Sequence, residues 1–159
     1  MEQNENYIKG CKELDCKNYK TAIGYFSKAI EENPSDKDSL IKRADAYLEI
    51  EEYDKWGDDL FLQSKLYTKE LKKDRKDYVV LYKRGEIYRF LNRDKQATAD
   101  YERVIKLKPD YVAAYIGLGY IKMHQGKEEL NQALNIFTQA ISIHPNNSQA
   151  LFNIANIYY

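Results

Sequence analysis

Residues that break or crosslink secondary structure are scarce in this 159-residue chain, which has 7 glycines, 3 prolines and 2 cysteines. Few glycines and prolines, together with the absence of alternating strand-like segments joined by hairpin turns, favour a nearly all-helical fold. Cys11 and Cys16 stand five residues apart, a spacing that points two side chains of a helix in different directions. We therefore read both cysteines as reduced thiols rather than as a disulfide.

Net charge and long apolar runs are also missing. The 25 basic and 25 acidic side chains cancel, which argues against broad charge-driven binding to nucleic acid. No apolar run approaches the roughly 18 residues that a membrane-crossing helix needs. The start, Met1–Asn6, is polar and acidic, unlike a secretion signal. We expect a cytoplasmic protein without nucleic-acid or membrane partners.

The sequence also lacks the motifs of catalysis. Its two histidines, His124 and His144, stand outside any ligand-spaced cluster, and no phosphate-binding glycine loop or nucleophile turn occurs. The adjacent acids Asp58 and Asp59 diverge by about 100° on a helix and cannot share one ion. We expect no enzyme activity, no metal site and no cofactor.

A recurring phrase is what the sequence does contain. Small, aromatic, small and proline positions follow one another at Ala22, Phe26, Ala29, Pro34, again at Ala133, Phe137, Ala140, Pro145, and in relaxed form at Ala97, Tyr101, Val104, Pro109. Each phrase follows a glycine 12 to 14 residues upstream, namely Gly10, Gly119 and Gly85. A weaker unit joins Ala44 to Gly57, Phe61 and Ser64.

This spacing has a physical reason. Small residues let two helices approach closely, the aromatic side chain fills the next ridge, and the proline ends the second helix. The pattern predicts helix pairs, a first helix A and a second helix B, with the helix B of the weak unit running on through Leu71. Ser35-Asp36, Asp94 and Ser148 are the predicted N-caps, while Asn92 and Gly126 suit left-handed positions after helices.

The pattern resembles the tetratricopeptide repeat, with Leu118-Gly119, Arg84-Gly85 with Tyr88, and Ala44 with Tyr47 as further matches. The resemblance covers one domain over residues 1–159, as repeats at about 3–36, 37–71, 78–111 and 112–147, an insertion at 72–77 and a half repeat at 148–159. It implies an all-α, right-handed superhelical solenoid of about nine helices in antiparallel pairs, with the A helices lining a concave groove.

The family's positions that face the groove, carried onto this sequence, give a set of candidate partner-binding residues. These residues are Tyr7, Cys11, Ile41, Asp45, Glu49, Tyr82, Glu86, Arg89, Ile116, Tyr120, Met123 and Phe152. The set forms an apolar stripe, held to be separate from the repeat core, with an acidic flank and Arg89 as its clear cation. Such a surface favours a hydrophobic peptide that carries basic residues.

The resemblance implies a non-catalytic scaffold or adaptor that binds a peptide segment of a partner protein in the groove. Two alternatives stay open: a regulatory or targeting module of a larger protein or enzyme, and a secretion-type or co-chaperone protein. The family's carboxylate clamp for chaperone tails maps onto Tyr7, Cys11, Lys42, Val79 and Lys83. Only the two lysines carry suitable charge, which argues against that mode of binding.

The last helix has no polar helix covering its apolar face at Tyr158-Tyr159. Terminal repeats of stacked folds usually carry a polar cap. Three interpretations follow: a truncated chain, a natural end in which this helix is itself the cap, or a homodimer contact through it.

Overall fold

The computed structural model describes residues 4–159 of the chain. Within them it contains nine α-helices, one short 3₁₀ helix and no strand. The α-helices are α1 Glu5–Asp15, α2 Tyr19–Glu32, α3 Lys37–Glu49, α4 Tyr53–Lys73, α5 Tyr78–Phe90, α6 Asp94–Leu107, α7 Val112–His124, α8 Leu130–Ile143 and α9 Ser148–Tyr158. The 3₁₀ helix, Lys127–Glu129, precedes α8. Within each of the two compact units described next, short connections place consecutive helices antiparallel.

The chain divides into two compact units, Met1–Lys69 and Glu70–Tyr159, here called the first and second units. The first unit holds α1 to α3 and most of α4, and within it α1 packs on α2 and α2 on α3. The second unit holds α5 to α9, where each helix packs on the next, and the alternate helices α5, α7 and α9 also touch. The boundary falls inside α4, which runs on past Leu71 as the sequence predicts.

Local signals at the helix ends are partly those predicted. Asp36 caps α3 by accepting hydrogen bonds from two backbone N–H groups, and Asn92 and Gly126 adopt positive φ. The predicted caps Asp94 and Ser148 are wrong, because each is the first residue of its helix. The capping positions are Arg93 and Asn147 instead.

Two left-handed residues have no sequence signal. Lys17 and Glu51 have φ of 60° and 59°, close to the 54° of Asn92. All three stand between the helices of a pair, so the left-handed step belongs to the connection, even where the residue type disfavours it.

The repeated phrases form the core. The small, aromatic and small positions of α2, α6 and α8 are all 0% exposed: Ala22, Phe26, Ala29, Ala97, Tyr101, Val104, Ala133, Phe137 and Ala140. The upstream glycines allow the rings to come close. A Cβ on Gly10 would lie 2.6 Å from Phe26 Cε1, and a Cβ on Gly119 would lie 2.6 Å from Phe137 Cε1. The close approach predicted from the small residues is confirmed.

Two buried ion pairs occur at equivalent places in successive helix pairs. Arg43 of α3 binds Asp59 of α4 with two hydrogen bonds of 2.6 and 2.9 Å. Arg84 of α5 binds Asp100 of α6 with two hydrogen bonds of 2.6 and 2.7 Å. The sequence contains a signal for these ion pairs. In each pair the arginine and the aspartate are sixteen residues apart, and each of them directly precedes a core position.

Candidate functional site

A cleft of about 210 Å³ lies on the A helices of the second unit. Its lining comprises Tyr82, Glu86, Arg89, Ala113, Ile116, Gly117, Tyr120 and Gln149. Helical geometry places Tyr82, Glu86 and Arg89 along one face of α5, because residues three and four apart share a face. The cleft brings together five of the residues predicted to face a groove. Ala113, Gly117 and Gln149 were missed, although Ala113 and Gln149 each stand three residues before a predicted residue, a spacing that shares a helix face.

A polar network runs along one side of this cleft. The Glu86 carboxylate accepts a hydrogen bond from Arg89 Nη2 at 2.9 Å, and its Oε1 accepts another from the Tyr101 hydroxyl. Arg89 also lies over the Phe90 ring, 4.4 Å from its centroid, and over the Tyr120 ring, at 5.2 Å. Arg89 was predicted as a cation for the partner, but in the structure its charge is balanced by Glu86.

Tyr101 connects the core to this network. The equivalent position in α2 and α8 is phenylalanine, which has no hydroxyl. In α6 the tyrosine adds a hydroxyl, and this hydroxyl donates to Glu86. A Cβ on Gly117 would lie 2.6 Å from Tyr101 Cζ and 2.9 Å from its hydroxyl oxygen. Gly117 therefore makes room for the outer end of this ring. Burial, reinforced by the Glu86 carboxylate, raises the pKa of Tyr101.

Tyr82 forms an aromatic wall of the cleft. Its ring packs edge-on against Tyr111, with centroids 5.1 Å apart, and lies 6.1 Å from the ring of Tyr101. Burial, and then the charge of Glu86, raises the pKa of Tyr82 to about 12. The phenol stays neutral at physiological pH.

Ile116 lines the cleft but is only 6% exposed, and it belongs to the core cluster that contains Phe137 and Ala150. The expectation that the apolar stripe is separate from the repeat core is therefore wrong at this position. The physical reason is that α9 packs on α7, and its Ala150 joins the same cluster as Ile116.

A second cleft, of about 490 Å³, lies within the first unit. Its lining comprises Leu14, Lys17, Tyr19, Asp45, Leu48 and Glu49. Asp45 and Glu49 are exposed, and Glu49 accepts a hydrogen bond of 3.1 Å from the Tyr19 hydroxyl. The predicted acidic residues thus lie beside exposed Leu48 on this surface.

The remaining predicted residues differ in accessibility. Tyr7 is half-buried with its ring centroid 6.1 Å from that of Phe26, and Cys11 and Ile41 are also half-buried. Met123 packs against the core cluster around Phe137. Phe152 of α9 is 64% exposed.

Within residues 4–159, no three metal-ligating side chains of histidine, cysteine, aspartate or glutamate come together. Over the same residues, no helix combines the length and the apolar character needed to span a membrane. Cys11 and Cys16 are free thiols.

A family model for the TPR repeat matches residues 80–126, which include most of α5 and all of α6 and α7. The crystal structure of MamA superposes with a TM-score of 0.64 at 21% identity, covering 99% of this chain and 85% of that one. Residues 80–126 of this chain therefore match the tetratricopeptide repeat. The predicted fold class, an all-α stack of antiparallel helix pairs, is confirmed.

Further similarities cover parts of this chain. Human tetratricopeptide repeat protein 6 is 35% identical over 75 residues, which are 47% of this chain and 14% of that relative. The matched segment is thus a small part of the relative's length. The first TPR of Spaghetti (RPAP3), bound to the HSP90 peptide SRMEEVD, matches with a TM-score of 0.55 at 24% identity over 75% of this chain and 87% of that one.

Proposed function

We propose that this chain is a non-catalytic interaction scaffold or adaptor that binds a peptide segment of a partner protein on the faces of its A helices. The observation that carries the proposal is the cleft of the second unit, where five residues chosen from the repeat frame line one cavity. A structural neighbour, the first TPR of RPAP3, is bound to a peptide, which supports the same kind of ligand.

The proposed peptide carries apolar anchors and basic residues. Apolar anchors fit the aromatic wall of Tyr82 and Tyr120 in the second unit. Within the first unit, the exposed carboxylates of Asp45 and Glu49 suit basic residues of a segment bound there. An acidic chaperone tail held by a carboxylate clamp is a poorer fit. Tyr7 and Val79 supply no cation at clamp positions, although Lys42 and Lys83 do. We therefore favour an adaptor over a co-chaperone of the clamp type.

Selection of displayed peptides against the full chain tests this proposal. Peptides that bind the parent should bind the double variant Tyr82→Ala/Tyr120→Ala at least about tenfold more weakly, because interface aromatics concentrate binding energy. Ile116 is unsuited to this test, since its truncation would open the core. Tyr53→Ala/Leu62→Ala removes two exposed side chains of α4 and serves as the matched control. Undiminished binding to Tyr82→Ala/Tyr120→Ala would contradict the assignment of the site.

A module within a larger protein is the second candidate function. The human relative contains the matched segment as only 14% of its length, so repeats of this kind occur there as one part of a longer chain. Sequencing the transcript that encodes this chain tests the candidate. A stop codon directly after Tyr159 and an initiator at Met1 would contradict it.

A homodimer through α9 is a separate proposal about partners. Leu151, Phe152 and Tyr158 are 46%, 64% and 72% exposed on this helix. Pairing two such faces would remove apolar surface from water. Sedimentation over a range of concentrations should show a dimer that Phe152→Glu converts to a monomer. A parent chain that stays monomeric at high concentration would rule the dimer out.

We also propose a cytoplasmic location. The free thiols of Cys11 and Cys16 fit a reducing compartment. Microscopy of the tagged chain in its native cells tests this, and a signal confined to an oxidising compartment would contradict it.

A further inference from the structure

The second-unit cleft has features that specify more than an apolar ligand. Three of its lining groups are flat: the rings of Tyr82 and Tyr120, and the guanidinium of Arg89. Beside them Ala113 contributes only a methyl group, while the space at Gly117 is taken by the ring of Tyr101. Flat groups pack best on another flat group, edge-on or offset-stacked.

The charge of the cleft is balanced. Glu86 is its one carboxylate and Arg89 its one cation, and they bind each other at 2.9 Å while the Tyr101 hydroxyl donates to Glu86. A charged guest side chain would have to break this pair or remain unpaired beside it, and either event carries a desolvation cost. A neutral guest leaves the network intact.

The volume of the cleft sets the size of the guest. A buried apolar cavity of about 150 Å³ is large enough to bind benzene. The 210 Å³ of this cleft therefore accommodates one substituted ring, with no room for two.

We propose that the cleft formed by α5, α7 and Gln149 accepts a single neutral aromatic side chain, phenylalanine or tyrosine, from a bound peptide. This inference rests on the proposed scaffold function and names the anchor that the scaffold selects. The Arg89 guanidinium and the Tyr120 ring, which contact each other at 5.2 Å, form one side of the site for the guest ring.

The test uses small probes that isolate the anchor from the rest of a peptide. The amides of N-acetyl-phenylalanine, N-acetyl-tyrosine, N-acetyl-leucine and N-acetyl-arginine are titrated into the isotope-labelled full chain and followed by NMR. The aromatic amides should shift the backbone signals of Ala113, Gly117 and Tyr120, and bind about three- to tenfold more tightly than the leucine amide, in line with the extra energy of ring–ring contacts.

Filling the cleft provides the matched variant. Ala113→Leu places a larger side chain in the cleft and should abolish the NMR signal shifts. Ala99→Leu, at an exposed position of α6, should leave those shifts unchanged. Circular dichroism confirms that each variant is folded. If Ala113→Leu is not folded, Gln149→Trp narrows the cleft from α9 and takes its place.

Three results would overturn the inference: equal binding of the leucine amide, tighter binding of the arginine amide, or no binding of any probe to the cleft. Peptide selection separates this failure from failure of the scaffold function. Selected peptides that need Tyr82 and Tyr120 but contain no common aromatic residue would leave the scaffold standing and remove the aromatic anchor. If no peptide binds the chain, both proposals fail.

Discussion

The helix pairs α5–α6 and α7–α8 have the same arrangement, but different residues lie at the contact between their helices. In α5–α6 the positions before the core glycine and the core ring are Arg84 and Asp100, which form a buried ion pair. In α7–α8 the corresponding positions are Leu118 and Ile136, and Ile136 packs against the cluster that contains Leu118. One backbone arrangement thus accepts either a charged or an apolar contact between its helices.

The core rings differ in the same way. Tyr101 carries a hydroxyl that donates to Glu86, whereas Phe137 ends in carbon and its pair has Tyr120 in place of Glu86. Buried polar contacts bring little net stability, because desolvation offsets the attraction, but they disfavour other arrangements. The comparison indicates that the polar residues of α5–α6 hold Glu86 in place at the edge of the cleft. The apolar residues of α7–α8 contribute packing alone.

Removing one charge should have the largest effect. Asp100→Ala leaves Arg84 with its guanidinium largely buried and without this carboxylate, so we expect a loss of about 3 kcal/mol in the free energy of unfolding. Ile136→Ala at the matching position should cost about 1–2 kcal/mol, because this side chain is only half-buried. Urea denaturation measures both. If Asp100→Ala loses no more stability than Ile136→Ala, the ion pair and the apolar contact contribute equally to stability.

A methyl group at the helix contact should have the next largest effect. Gly119→Ala places a Cβ 2.6 Å from Phe137 Cε1, and Gly85→Ala places one 2.9 Å from Tyr101 Cε1. We expect each to destabilise the chain by about 1–3 kcal/mol, with Gly119→Ala the worse of the two. Gly24→Ala is the control, since no atom lies within 4 Å of its added Cβ. Thermal unfolding should show it unchanged or stabilised, and equal losses for all three would contradict a packing effect.

High pH should weaken α5–α6 selectively. The pKa of Tyr82 rises from 10.0 to about 12 in the folded chain, whereas its counterpart in α7 is Ile116, which does not titrate. A proton held more tightly in the folded state stabilises the chain below the unfolded pKa, and this stabilisation is lost as the pH rises through the folded pKa. Stability to urea should therefore fall between pH about 10 and about 12, and fall less in Tyr82→Phe. If stability falls equally steeply with pH in the parent and in Tyr82→Phe, Tyr82 does not cause the loss of stability at high pH.

Transplanting the apolar contact should have the smallest effect. Arg84→Leu combined with Asp100→Ile gives α5–α6 the residues of α7–α8, and we expect stability within about 1 kcal/mol of the parent. The double variant should recover most of what Asp100→Ala loses. A double variant as unstable as Asp100→Ala would show that the apolar contact cannot replace the ion pair in this helix pair.

The parts of the fold that sequence predicts are those set by local spacing. Small and aromatic residues four apart on a helix specify which face is buried, so Ala133, Phe137 and Ala140 could be assigned to the core without a structure. The ion pair of Arg84 and Asp100 was missed, because it depends on how two helices align across a contact. That alignment becomes visible only when sixteen-residue spacings are compared between repeats.

Several residues of the cleft could be placed on one surface for a similar reason. The repeat frame places Tyr82, Glu86 and Tyr120 on one surface, and they do line a single cleft. It could not show that Ile116 is covered, because its burial arises from contact with α9 in the next repeat. Nor could it show that Arg89 is neutralised, since a helix offers a long arginine several partners.

Gly117 has a wider consequence for how this region unfolds. The ring of Tyr101 lies against Gly85 in its own helix pair and against Gly117 in α7, the first helix of the following pair. In stacked repeats, cooperativity depends on the interface between neighbours rather than on each repeat alone. One shared ring therefore couples the two repeats, so that α5–α6 and α7–α8 should melt as a single block instead of fraying one after the other.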